Sequence, residues 1–97
     1  MEITQIRKEI AEKIKDLDPI GKKLKFKLDD DIVVIDGTVG DNVLREEDMD
    51  ADCTIIMSKE TYGKLKRKEL KPMMATMTGK IKVKGDLALA NKLKQFT

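Results

Sequence analysis

The sequence predicts an α+β sandwich, with helices packed on a mainly antiparallel sheet of five strands. Three observations predict it. Isoleucines recur at helical spacing near the N-terminus. Residues 22–57 then hold four short apolar or alternating runs separated by turn residues. Residues 58–96 mix helical patterns with one further alternating run. The order is helix, four strands, two helices, strand, helix. Strands in runs, with helices gathered around them, argue for α+β rather than an alternating α/β fold.

In the first helix, residues 2–17, Ile3, Ile6, Ile10, Ile14 and Leu17 make one narrow apolar stripe. Its other faces mix both charge signs, as in Glu9 and Lys13 one turn apart, so the stripe is expected to pack on the domain and not on a membrane. Asp18-Pro19 and Gly21 end the helix and turn the chain. From Lys22 to Leu28, Leu24, Phe26 and Leu28 alternate with lysines, the pattern of a half-buried strand. Asp29-Asp30-Asp31 reads as a tight turn. Ile32–Ile35 is apolar throughout, which predicts a strand covered on both faces or near the sheet's centre. A turn within 37–42 leads to a short strand at Val43-Leu44, and the charged residues 45–50 read as a loop.

In the fourth strand, 52–57, Cys53, Ile55 and Met57 share one face. Ser58 is placed to N-cap a helix through about residue 67, with Tyr62 and Leu65 as its apolar contacts. Pro72 suits a first helical position, and Gly79 can close that helix in a left-handed conformation. Lys80 to Lys84 alternates, with Ile81 and Val83 facing a core. Gly85 ends the strand, and Asp86 caps a last helix carrying Leu89, Leu93 and Phe96 on one face.

The composition excludes several functions. At 97 residues one domain, 1–97, is expected. Lysine and arginine (20) nearly balance aspartate and glutamate (18), so the net charge of +2 is weak support for a polyanionic partner. Aromatics are 3%, too few for the stacking platforms of a nucleic-acid surface, and Lys80, Lys82 and Lys84 read as the solvated face of a strand. No nucleic-acid partner is expected. Histidine is absent, Ser58 is explained as a cap, and Cys53 has no base to activate it, so no enzymatic role and no cofactor is expected. Asp48, Asp50 and Asp52 are spaced like the opening of a calcium loop. Cys53 and Lys59 stand where that loop needs glycine and glutamate. No apolar run reaches the roughly 18 residues of a spanning helix, and the N-terminus lacks a signal pattern. With one unpaired cysteine, the expected location is cytoplasmic, with at most transient membrane contact.

The methionines are the most informative feature. Met57, Met73, Met74 and Met77 are expected to converge from one strand and one helix. There they serve either as core filler or as the adaptable lining of an apolar ligand site.

The Ala51-Asp52-Cys53-Thr54 strand, the Pro72 helix and the run GKIKVKGDLALANKL from Gly79 to Leu93 together resemble the sterol carrier protein-2 family. The resemblance covers roughly residues 22–96. It implies a five-stranded sheet with a layer of helices on one face, an apolar tunnel between them, and a lipid carrier with no catalytic step. The implied partner is a lipid or other apolar small molecule: a fatty acid, acyl-CoA, sterol or isoprenoid. The implied lining is Ile55, Met57, Met73, Met74, Met77, Ile81, Val83, Leu89, Leu93 and Phe96. Thr76-Met77-Thr78 stands where the family usually has aromatic residues, and 67–69 lacks its glycine between the middle helices. The chain stops at Thr97, where eukaryotic members often extend. One tunnel mouth is therefore expected to be open, for a homodimer or partner to cover. The alternative is an interaction domain with a filled, vestigial cavity.

Overall fold

The computed structural model describes all residues, 1–97. Helix α1 (Ile3–Ile14) precedes strands β1 (Lys23–Leu28), β2 (Asp31–Asp36), β3 (Val43–Arg45) and β4 (Cys53–Met57). Helices α2 (Lys59–Lys66) and α3 (Pro72–Met77), strand β5 (Lys82–Gly85) and helix α4 (Leu87–Ala90) follow. The sheet order is β3-β2-β1-β4-β5. Only β1 and β4 pair in parallel; the other three pairings are antiparallel. The hairpin β1–β2 turns through Asp29, a non-glycine at φ 57°, which aspartate tolerates better than most residues.

The parallel pair requires the chain to return from β3 to the far side of β1. Residues 46–52 make this crossing, tied down by Lys25, whose Nζ donates to Asp48 Oδ1 and to the Met49 carbonyl, both at 2.8 Å. Arg45 belongs to β3, not to this loop. Its Nε donates to Asp36 Oδ2 at 3.0 Å, which extends the strand by one residue.

Alternation divides the sheet. Leu24, Phe26, Leu28, Val33, Ile35, Cys53, Ile55 and Met57 face the helices in one buried core. Ile6, Ile10 and Ile14 of α1, Tyr62 and Leu65 of α2, and Leu89, Leu93 and Phe96 cover them. Phe26 stands at the centre, edge-on to Tyr62 at 6.4 Å and to Phe96 at 5.8 Å between ring centroids. On the outer face Val34 is also fully buried, with Lys25 and Arg45 as its register neighbours. This explains why the run 32–35 is apolar throughout.

The caps form at the foreseen residues. Ser58 Oγ accepts from Thr61 N, Asp86 accepts from Leu89 N, and Pro72 occupies the first turn of α3. Other bounds differ from expectation: α1 stops at Ile14, short of Leu17, and Asp31, read as a turn residue, begins β2. Strand β5 starts at Lys82, because the amides of Lys80 and Ile81 both donate to the Ala75 carbonyl and close α3. The last helix is one α turn that tightens into a 3₁₀ segment, Asn91–Gln95.

Candidate ligand-binding groove

The helix layer leaves one apolar recess, between α3 and the α4–3₁₀ segment at the β5 edge. Its volume is about 330 Å³, near the lower end of small-molecule sites. Ile55 and Val83, register partners on β4 and β5, form the floor together with Ile81. Pro72, Met73, Thr76 and Met77 form one wall; Ala90, Asn91, Leu93 and Lys94 form the other.

Each lining residue is placed by a local cause. Gly79, at φ 79°, lets the chain reverse after α3 so that Ile81 can dive inward; it is 2% exposed. Gly85, at φ 92°, lets the Asp86 amide donate to the Asp52 carbonyl at 2.8 Å, which aims α4 back over the sheet. Asp86 also pairs with Lys22 Nζ at 2.5 Å. The Lys22 ammonium and the Leu89 amide hold its carboxyl below the usual carboxylate range.

Of the ten residues the sequence singled out, Ile55, Met73, Met77, Ile81, Val83 and Leu93 line the groove. Met57, Leu89 and Phe96 lie in the packed core, and Met74 is half exposed outside the groove. The expected convergence of four methionines does not occur. Met57 is 4% exposed, whereas Met73 and Met77 are each 74% exposed. The cause is the face that α3 turns inward: Ala75 is its only buried residue, and Met73 and Met77, one turn apart, sit on the opposite flank. The tunnel implied by the resemblance, expected to be open at one mouth, is here a groove, because Phe26, Tyr62 and Phe96 fill the core beside it. Sequence reasoning missed Pro72, Thr76, Ala90, Asn91 and Lys94 as lining residues. Thr76 shares a helical face with Met73, and Ala90 with Lys94, so periodicity carried that signal.

The chemistry of the groove is that of binding. The Thr76 hydroxyl already donates to the Pro72 carbonyl at 2.9 Å. Lys94 is the one charged lining residue. No cluster of three or more aspartate, glutamate or cysteine side chains is arranged to hold a metal. Cys53 is fully buried in the core, and burial pushes its thiol up, away from the reactive thiolate. A second recess of about 290 Å³ adjoins the groove at Pro72 and Lys94 and adds Lys68 and Lys71. A third, about 280 Å³ between α1 and α2, is lined only by charged residues such as Glu9 and Lys66 and offers no apolar wall.

The model of the SCP-2 sterol transfer family matches residues 3–97. Hydroxysteroid dehydrogenase-like protein 2 of Bos taurus is 46% identical over 46 residues, 47% of this chain and 11% of that protein. The chain thus spans about a tenth of the length of that curated relative. Among solved structures, sterol carrier protein-2 of Aedes aegypti in complex with palmitate, a C16 fatty acid, superposes with a TM-score of 0.75. It is 22% identical, over 95% of this chain and 90% of that one. The apo form of sterol carrier protein 2 from Yarrowia lipolytica gives 0.67 at 20% identity, over 95% and 73%. No helix is long and apolar enough to cross a membrane.

Proposed function

The chain belongs to the SCP-2 sterol transfer family, and from that premise we propose that residues 1–97 form one lipid-binding domain. It takes up a lipid in the groove over Ile55, Ile81 and Val83 and releases it without a covalent step. The observation that carries this reading is the apolar lining on three sides of a recess that the core does not fill. Burying an acyl chain there supplies about 0.8 kcal/mol per CH₂. The Aedes aegypti neighbour holds palmitate, which favours a fatty acid or acyl ester as the ligand class. Membrane contact during exchange is transient. Cys53, unpaired and buried, suits a reducing compartment such as the cytoplasm.

The test is native mass spectrometry of the purified protein, followed by extraction and identification of what is bound. A stoichiometric lipid is expected. Ala90→Phe, which places a ring in the groove from its α4 wall, is expected to abolish uptake of palmitate while the protein stays folded. Val83→Glu, a charge on the floor, is expected to do the same. A clean apo mass together with no uptake of fatty acid or sterol by the unmodified protein would sink the reading. The same spectrum reads whether a homodimer covers the groove.

A further inference from the structure

The sulfur-bearing side chains of this chain fall into two sets. Cys53 is fully buried and Met57 is 4% exposed, so the core withholds both from any oxidant in water. Three of the six methionines stand together in the six residues of α3, and there the exposure is reversed. Met73 and Met77 are each 74% exposed and Met74 is 50% exposed. Met1, at the start of the chain, is 37% exposed, and Met49 in the crossing loop is half-buried. Oxidation of a thioether follows access to its sulfur, so α3 carries the reactive sulfur of the molecule.

Two of these methionines are also a wall of the groove. Met73 and Met77, one turn apart, line it opposite Ala90, Leu93 and Lys94, whereas Met74 lies outside. Apolarity alone does not require methionine here, since leucine has a similar volume and helix propensity. Leucine lacks the sulfur lone pair that an oxidant attacks. With an oxygen on its sulfur the side chain becomes polar. An acyl chain laid against it would then bury a polar group. On the same wall the Thr76 hydroxyl is committed to the Pro72 carbonyl, at 2.9 Å, and cannot donate to a sulfoxide.

We propose that Met73 and Met77 are a modification site, where oxidation by a hydroperoxide lowers the affinity of the groove for an apolar chain. The hydroperoxide transfers its terminal oxygen to the sulfur. The O–O bond breaks and an S–O bond forms; the thioether loses two electrons, and the oxidant leaves as water or an alcohol. The change is reversible. A sulfoxide reductase returns the thioether at the expense of a dithiol, which becomes a disulfide while the oxygen leaves as water. The exposure that admits the oxidant also admits the reductase. The effect on affinity rests on the carrier reading; the modification itself rests on exposure alone.

The experiment is limited treatment of the protein with hydrogen peroxide, mapping of the added oxygen by peptide mass spectrometry, and titration with palmitate before and after. Sulfoxide is expected at Met73 and Met77 while Met57 and Cys53 stay unmodified. Palmitate binding is expected to weaken by about tenfold, with the circular dichroism spectrum unchanged. It is expected to recover after treatment with methionine sulfoxide reductases A and B and dithiothreitol, one enzyme for each sulfoxide epimer. The double variant M73L/M77L is expected to bind palmitate equally before and after peroxide, whatever its own affinity. The double variant M49L/M74L, altered outside the groove, is expected to respond as the unmodified protein does. Four results would each overturn the proposal and leave the carrier reading standing: oxidation of Met57 or Cys53 ahead of the α3 pair, unchanged affinity with both sulfoxides in place, a full response in M73L/M77L, or unfolding on oxidation. No uptake of palmitate or sterol by the untreated protein would sink the carrier reading, and the effect on affinity with it.

Discussion

Asp36 illustrates how a single side chain holds an edge of this sheet. It is 2% exposed, yet its carboxylate is fully employed: Thr38 Oγ1 donates to it at 2.5 Å, Thr38 N at 2.9 Å, and Arg45 Nε at 3.0 Å. The Thr38 hydroxyl is the main reason the carboxyl is held down at about 2, with the Thr38 amide and Arg45 adding to it. The folded carboxyl titrates below its unfolded counterpart, so its contribution is complete above about pH 4 and is lost as pH falls toward 2. Asp36→Asn is expected to lower stability at neutral pH and to flatten its decline between pH 4 and 2, read by denaturant titrations across that range. Tyr62 makes the opposite case. It is fully buried, and its hydroxyl has no partner. Burial, with the Glu9 carboxylate nearby, raises its phenol far above the ordinary range. Tyr62→Phe removes an unsatisfied oxygen and keeps the ring against Phe26, so stability should be unchanged or higher by up to about 1 kcal/mol. A loss beyond that would show that the hydroxyl is satisfied in solution. Neither residue's partnership was readable from the sequence. Asp36 sits where a turn begins, and its acceptor role exists only once Arg45 is folded back beside it.

Elements were legible where a local rule sufficed, and illegible where tertiary contact chose between two local options. Period-two alternation placed Leu24, Phe26 and Leu28 inward, and the caps at Ser58 and Asp86 formed because an N-cap needs only its own next turn. The rotation of α3 about its axis is different. A helix carrying Met73, Met74 and Met77 looks as though it should bury them, but Ala75 is the side chain small enough to bring the backbone onto the sheet edge. The β5–α4 junction yields a further prediction. A Cβ on Gly85 would collide with the Asp52 carbonyl oxygen, in a backbone conformation at φ 92° that side chains resist. Gly79 shares the positive φ, at 79°, but a Cβ there meets nothing within 4 Å. Gly79→Ala should cost about 1 kcal/mol and Gly85→Ala clearly more, because backbone must move as well. Equal losses in thermal unfolding would mean that the junction is softer than its geometry.

At the scale of the whole molecule, the strand order β3-β2-β1-β4-β5 lay beyond local reading. The parallel pairing of β1 with β4 joins residues nearly thirty apart, and no period or turn signal specifies it. The family resemblance implied five strands under a helix layer, but neither this order nor the parallel pair. The same order explains where the groove is. The centre, around β1, is sealed by Phe26, Tyr62 and Phe96, so space remains only at the β5 edge beneath α3. That edge is also where the fold is held most loosely, since α3 buries one small residue and follows a left-handed Lys68 at φ 62°. Low burial means low local stability, so the amides of residues 73–79 should exchange with solvent well before those of β1 and β2. A ligand in the groove touches Met73, Thr76 and Met77 from beneath, and it should slow exchange in this segment selectively. It should also stabilise the whole protein, by about 2.7 kcal/mol at a free concentration one hundred times Kd. Hydrogen exchange with and without palmitate checks both. Protection spread evenly over α1 and α3 would place the ligand under the aromatic core instead, where the folded structure leaves it no room.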